Sequence, residues 1–167
     1  MNKGYPPRKA FYQNIEAFKM LHDKHPDTLL YIHTLDGSRP NGEVINLVAF
    51  CNAIGLKVGE DVIFADQYSY VLGYPETAMA ALYNCFDVHL LVSMGEGFGM
   101  PQLEAQACGV PVICGDWTTM PELCFSGWKV DKKDTIRMFT LQNTYQFLPK
   151  PEAIADKLEQ SYRMRGN

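Results

Sequence analysis

Short apolar runs alternate with stretches of helical period along this chain, and that alternation restricts its fold more than any other feature. Residues 28–33, 61–64, 88–92, 110–114 and 128–130 are dense in Val, Ile, Leu and aromatic side chains and read as strands. Between them, residues 8–22 place Phe11, Ile15, Phe18 and Leu21 at spacings of three and four. Residues 43–54 do the same with Val44, Leu47, Val48 and Cys51. Residues 75–86, 101–108 and 151–162 complete the helices, each opened by a proline in its first turn. Val88-His89-Leu90-Leu91-Val92 is apolar almost throughout, as a strand must be when helices cover both of its faces. Repeated βα alternation of this kind predicts an α/β fold, a Rossmann-like open parallel sheet with helices on both faces. Residues 132–150 carry the weakest pattern and are expected to wander over the surface.

With 167 residues the chain has room for one domain, spanning 1–167, large enough to bury a core without staples. Fifteen Lys and Arg against nineteen Asp and Glu leave a formal charge of −4, which gives no basic footprint for nucleic acid. No apolar run is long enough for a transmembrane segment, and the opening MNKGYPPRK lacks a signal-peptide core. Cys51, Cys85, Cys108, Cys114 and Cys124 form no C-x-x-C pair, so a reduced, cytoplasmic setting is expected. His22 and His25 end a helix, where a cationic ring favours the dipole, and are not read as metal ligands. His89 reads as packing, and His33, which follows a strand, as a structural histidine near the ligand side.

Ligands of such folds sit outside the carboxyl ends of the strands. The most informative stretch lies there: Ser93-Met94-Gly95-Glu96-Gly97-Phe98-Gly99-Met100-Pro101-Gln102-Leu103-Glu104-Ala105, followed by Gln106-Ala107-Cys108-Gly109-Val110-Pro111-Val112. It leaves a buried strand, crosses a glycine-rich turn and enters a helix at a proline. The glycines let the backbone approach a ligand, and the helix start offers unpaired N–H groups and a positive dipole end. Glu104 lies one turn into the helix and leans back toward the space of Glu96. Carboxylates would repel a phosphate but accept hydroxyl groups well. Amides for a diphosphate and carboxylates for hydroxyl-bearing rings on either side of it together describe a nucleotide-sugar site. Phe98 serves either as a wedge into the core or through its backbone.

Residues 96–112 closely resemble the E-x7-E signature of family-four retaining glycosyltransferases, EGFGxPxxEAxAxGxPV. Residues 83–93 and Pro121-Glu122 resemble the segments that flank it in that family, and the resemblance runs from about residue 3 to 162. It implies the C-terminal, donor-binding half of a two-domain GT-B fold, its first strand largely missing and the N-terminal acceptor domain absent from this chain. By the same resemblance Glu96 contacts hydroxyls of the transferred sugar and Glu104 the ribose. The amides of Gly97, Phe98, Gly99 and Met100 meet sugar and diphosphate. Lys9 matches the family's lysine and Lys3 its arginine position, with Arg8 able to exchange with Lys9, for stabilising the departing phosphate. Gln67 and Tyr68 fall where the family binds the base.

The resemblance further implies a UDP- or GDP-linked donor, no cofactor and no metal. The absence of a D-x-D pair agrees. It implies transfer to a hydroxyl of a glycan, lipid or other acceptor held by the missing domain, in the cytoplasm or peripheral to a membrane through that domain. An alternative is a non-catalytic module that binds a nucleotide-sugar or docks on another chain. A dinucleotide-dependent oxidoreductase is a third, weaker reading, because Gly95, Gly97 and Gly99 follow a late strand in G-x-G-x-G spacing rather than G-x-G-x-x-G after the first.

Overall fold

The computed structural model describes residues 6–37, 46–141 and 143–165. A 3-10 turn at Pro6–Lys9 leads into helix α1 (Phe11–His22). The two are separated by buried Ala10, whose left-handed backbone (φ 50°) breaks what the sequence suggested as one helix from residue 8. Strand β1 (Leu30–Ile32), helix α2 (Leu47–Ala53), strand β2 (Val62–Phe64), and helices α3 (Gln67–Leu72) and α4 (Glu76–Tyr83) follow. Then come strand β3 (His89–Leu91), helix α5 (Met100–Ala107), and strands β4 (Val112–Gly115) and β5 (Gly127–Val130). Strands β6 (Thr135–Phe139) and β7 (Tyr145–Pro149) precede the closing helix α6 (Pro151–Arg163).

All five expected strands are present within two residues at either end, and each pairs in parallel. β1 lies beside β2, and β3, β4 and β5 lie side by side in that order. Helices cover both faces, so the α/β class and the open parallel architecture hold. The sheet is nevertheless divided: among the described residues no strand joins β1 to β3. Helix α1 spans the division. Its Ile15 and Phe18 pack with Ile32, Leu47, Cys51, Leu56 and Val62 over β1 and β2. Its Ala17 and Leu21 pack with Val92, Ile113, Val130, Ile154 and Leu158 over the other three strands. Two turns of one helix thus serve two cores.

Three expectations need correction. Residues 132–150 do not wander: β6 and β7 form an antiparallel hairpin, Ile136 opposite Leu148 and Met138 opposite Gln146. Asn143 in its turn takes the left-handed conformation that asparagine tolerates (φ 57°). Gln67 and Tyr68, which the resemblance places in a base-binding loop, open helix α3, capped by Asp66, whose Oδ1 accepts from the Ser69 amide (2.8 Å) and hydroxyl (2.6 Å). The helix expected over 43–54 is seen from Leu47, with Asn46 as its cap; Glu43 and Val44 lie outside the described residues.

Candidate functional site

The turn after β3 is held from behind by the loop after β4. Trp117 Nε1 donates to the Ser93 carbonyl (2.9 Å). Thr119 Oγ1 donates to the carbonyls of Glu96 (3.0 Å) and Phe98 (3.3 Å), while the Glu96 amide donates to Thr118 Oγ1 (3.2 Å). Thr118 itself adopts φ 56°, a strained conformation for a β-branched residue. Gly115 keeps this brace compact, because a Cβ there would lie 2.4 Å from the Trp117 ring. Trp117, Thr118 and Thr119 were missed in the sequence. The only cue was their place between a buried strand and Pro121.

Held this way, the turn delivers its amides outward. Gly99 reverses the chain at φ 92° and caps α5 without a side chain. The N–H groups of Gly97, Phe98, Gly99 and Met100 have no acceptor among the described residues. Pro101 has no N–H, so the start of α5 keeps donors that no described residue pairs. Phe98 is 53 % exposed, which sets aside a wedge role and leaves its backbone as its contribution. Behind the helix, fully buried Gln102 donates to the Met120 carbonyl (3.3 Å) and fixes the helix against the brace.

Glu96 is the most enclosed acidic group of the turn, its side chain 7 % exposed. Lys9 Nζ lies 2.7 Å from one carboxylate oxygen and Arg8 Nη1 3.1 Å from the other; Arg8 also donates to the Gly95 carbonyl. Burial alone would push this carboxyl up, but the two cations and a hydrogen bond from Ser93 outweigh it and hold it below its ordinary value. Two cations around one carboxylate leave a net positive charge beside four free amides, an arrangement suited to a polyanion. Arg8 and Lys9, which the resemblance assigns to the departing phosphate, both lie against Glu96. Lys3 lies outside the described residues.

Glu104 does not share a partner with Glu96. It is exposed on α5, and its Oε2 accepts from the buried Tyr83 hydroxyl (2.8 Å) at the end of α4. Burial first, then the carboxylate, raises the Tyr83 phenol, so it stays a donor. Lys9, Pro101 and Glu104 line one cleft, together with His33, Tyr70 and Tyr74 from the β1 side. His33 accepts or donates at the Tyr31 hydroxyl (3.1 Å) and packs edge-on against Tyr70 and Tyr74. Gln67 is committed to the backbone: Nε2 donates to Ala65 (2.7 Å) and Thr34 (3.3 Å), and Oε1 accepts from the Asp36 amide (3.0 Å). It ties the loop after β1 to the end of β2. Tyr68 is 73 % exposed on α3, and neither residue bonds to Glu96 or Glu104.

Away from the turn, His22 sits 3.4 Å from Asp61, and His25 stacks on Tyr162 while contacting Glu159 (3.0 Å). No helix among the described residues is long and apolar enough to cross a membrane.

A family model described as "Glycosyl transferases group 1" matches residues 3–163. Serotype-specific mannosyltransferase WbdA of Escherichia coli is 29 % identical over 128 residues, 74 % of this chain and 14 % of that protein. O-antigen chain mannosyltransferase B of Escherichia coli is 45 % identical over 53 residues, 31 % of this chain and 14 % of that protein. The chain therefore spans about a seventh of these relatives. The crystallised C-terminal domain of a glycosyl transferase group 1 family protein (LpcC) from Francisella tularensis superposes with a TM-score of 0.64. That match is at 23 % identity and covers 93 % of this chain and 70 % of that one.

Proposed function

The chain belongs to the group 1 glycosyl transferases, and from that premise we propose that it is the donor-binding half of a retaining, metal-independent enzyme of GT-B architecture. Its ligand is a nucleotide-diphosphate sugar. The observation that carries this reading is the placement of four acceptor-free amides beside a buried carboxylate that two cations keep ionised. The diphosphate lies against the amides and the first turn of α5. Glu96 accepts hydroxyls of the transferred sugar and, being anionic, stabilises positive charge at the anomeric carbon as the bond to phosphate lengthens. Lys9 and Arg8 balance the charge that collects on the leaving phosphate, with Lys3 a third candidate. Glu104 accepts the ribose hydroxyls.

Attack on the same face that the diphosphate leaves, with the departing oxygen taking the acceptor proton, gives retention. Such a step needs no second carboxylate within reach, and Glu104 is engaged elsewhere. The acceptor hydroxyl is held by a domain other than this one, and a cytoplasmic setting fits a nucleotide-linked donor. Two relatives named as mannosyltransferases make a mannosyl donor the first to try.

Calorimetric titration with GDP-mannose, UDP-linked sugars and the free diphosphates tests the proposal. Micromolar to millimolar binding that needs the diphosphate is expected, and no heat with any of them sinks it. Glu104→Gln is expected to weaken the free nucleoside diphosphate about tenfold, as loss of a charged acceptor does. Glu96→Gln is expected to leave that ligand within about threefold and to flatten the preference among sugars. Equal effects on both ligands would defeat the division of labour.

A further inference from the structure

The hairpin of β6 and β7 leaves more of its apolar side chains exposed than buried. Residues opposite one another in the ladder share a face. Arg137, Phe139, Tyr145, Phe147 and Pro149 therefore point one way, and Ile136, Met138, Gln146 and Leu148 the other. At the base the first face is seated on the domain. Phe147 and Pro149 are buried, and the Phe147 ring lies 6.2 Å from that of Trp117 between centroids. The Phe147 amide donates to the Met94 carbonyl (2.9 Å), which ties the hairpin to the turn that bears Glu96. Farther out both faces are bare: Phe139 and Tyr145 are exposed on one, Ile136 and Met138 on the other. Leu141, at the turn of the hairpin, is 99 % exposed.

Charge follows the same layout. Residues 138–149 contain no charged side chain. Exposed Lys132, Lys133, Arg137 and Lys150 flank that stretch against Asp131 and Asp134, in a chain whose formal charge is −4. Lys132 Nζ lies 4.4 Å from the centre of the Phe147 ring, at the base. Arg137 lies over the Tyr145 ring (4.5 Å), and Phe139 meets the same ring edge-on (5.3 Å between centroids). The last cation before the tip thus stacks on the tip's own aromatics. An apolar tip, then amphipathic aromatic rings, then cations is the order that matches a lipid surface from acyl chain to headgroup.

We infer that this hairpin is a contact with an anionic membrane surface. Met138, Phe139 and Leu141 enter the headgroup boundary, and Lys132, Lys133 and Arg137 meet lipid phosphates. Two features favour a lipid surface over a protein. A protein partner lying against a two-stranded ribbon covers one of its faces, whereas here both are bare at the tip and a fluid medium surrounds both. A two-fold pairing of hairpins would also set the same cations against each other. The depth is limited to the interface, because the outer edges of a two-stranded ribbon carry backbone groups that need water. The family resemblance assigns membrane contact to the acceptor domain. This contact belongs to the domain described here, and it is independent of which donor the Glu96 turn takes.

Flotation of the whole chain tests this with vesicles of phosphatidylcholine alone and of phosphatidylcholine with about one third phosphatidylglycerol. Binding to the anionic vesicles is expected to exceed that to the neutral ones about tenfold or more, and to fall about tenfold as salt rises from about 0.1 to 0.5 M. Phe139→Ser with Leu141→Ser removes the tip, and Lys133→Glu with Arg137→Glu reverses the cations. Each pair is expected to cut anionic binding about tenfold or more and to keep the melting temperature, since all four side chains are exposed. Leu141→Trp reports insertion directly: relative to the parent chain its added emission should shift to the blue on anionic vesicles and be quenched by brominated acyl chains. Absence of anionic binding, equal binding to neutral vesicles, undiminished binding by either pair, or an unshifted reporter would each overturn the inference. So would self-association in lipid-free solution that Phe139→Ser with Leu141→Ser abolishes, since a second copy would then be the occupant.

Discussion

The two halves of the sheet differ in what stabilises them and in what they carry. β3, β4 and β5 are backed by α5 and α6 and braced by Trp117, Thr119 and Gln102, whose polar groups reach specific carbonyls. β1 and β2 rest on α1 and α2, and the helix at their ligand end, α3, leaves Tyr68, Val71 and Leu72 exposed. The turn that bears Glu96 belongs to the first half. Pre-organised donors are useful only if they do not move when charge arrives, so the braced half is where such a turn has to sit. The second half contributes aromatic rings to the same cleft, a role that tolerates motion better.

The largest effects should come from attacking each core by itself. Ile154→Ala opens a cavity under β4 and β5, and Phe18→Ala one under β1 and β2; each is expected to cost about 2–5 kcal/mol. Exchange and diphosphate titration separate them. Ile154→Ala should loosen the turn and weaken binding, while Phe18→Ala should release the amides of β1 and β2 and leave diphosphate affinity within about threefold. If both variants raise exchange everywhere alike, the halves are one cooperative unit and the contrast fails.

The same contrast governs what could be read in the sequence. The parallel strands, whose two buried faces demand unbroken apolar runs, were legible, and so was the Glu96 turn, because its glycines and proline are local signals. Arg8 and Lys9 were legible as cations near a helix start. Tyr83 was not: from the sequence its hydroxyl is one of nine tyrosine hydroxyls, and only the packing of α4 on α5 brings it to Glu104. Thr118 and Thr119 were hidden for the same reason, since they meet the amide and the carbonyl of Glu96, more than twenty residues away. The hairpin of β6 and β7 was missed because its outward face keeps Ile136 and Met138 exposed, which blurs the polar alternation expected of a two-stranded ribbon.

A smaller effect should distinguish the seam from either core. His89, on β3, is held far below its ordinary value by burial, at about 4, and its ring packs edge-on against Tyr83. Below about pH 6.5 the unfolded chain binds a proton there that the folded chain refuses. Stability therefore falls as pH drops from 6.5 toward 4, by up to about 3 kcal/mol. His33, lowered by its own burial, contributes with the same sign. Urea unfolding at pH 7 and pH 5 should thus show a clear loss in the native chain and a reduced one in His89→Phe. An unchanged slope would mean that His89 is not the group responsible.

The smallest expected effect is the sharpest about the site. Tyr83 belongs to the core beneath α5, yet its hydroxyl ends on a carboxylate assigned to the ligand. Tyr83→Phe keeps the ring and removes one hydrogen bond, a change worth about 1 kcal/mol. If the phenol orients Glu104, affinity for the free nucleoside diphosphate should fall about fivefold, with the preference among sugars unchanged, because Glu96 is untouched. Adding Glu104→Gln to Tyr83→Phe should then cost less than the two changes made separately, since each removes part of one arrangement. If the hydroxyl is only structural, the melting temperature should fall, affinity should stay, and the two substitutions should add. Melting and titration of the four proteins in that cycle decide whether the braced half reaches the ligand through α4 as well as through its own turn.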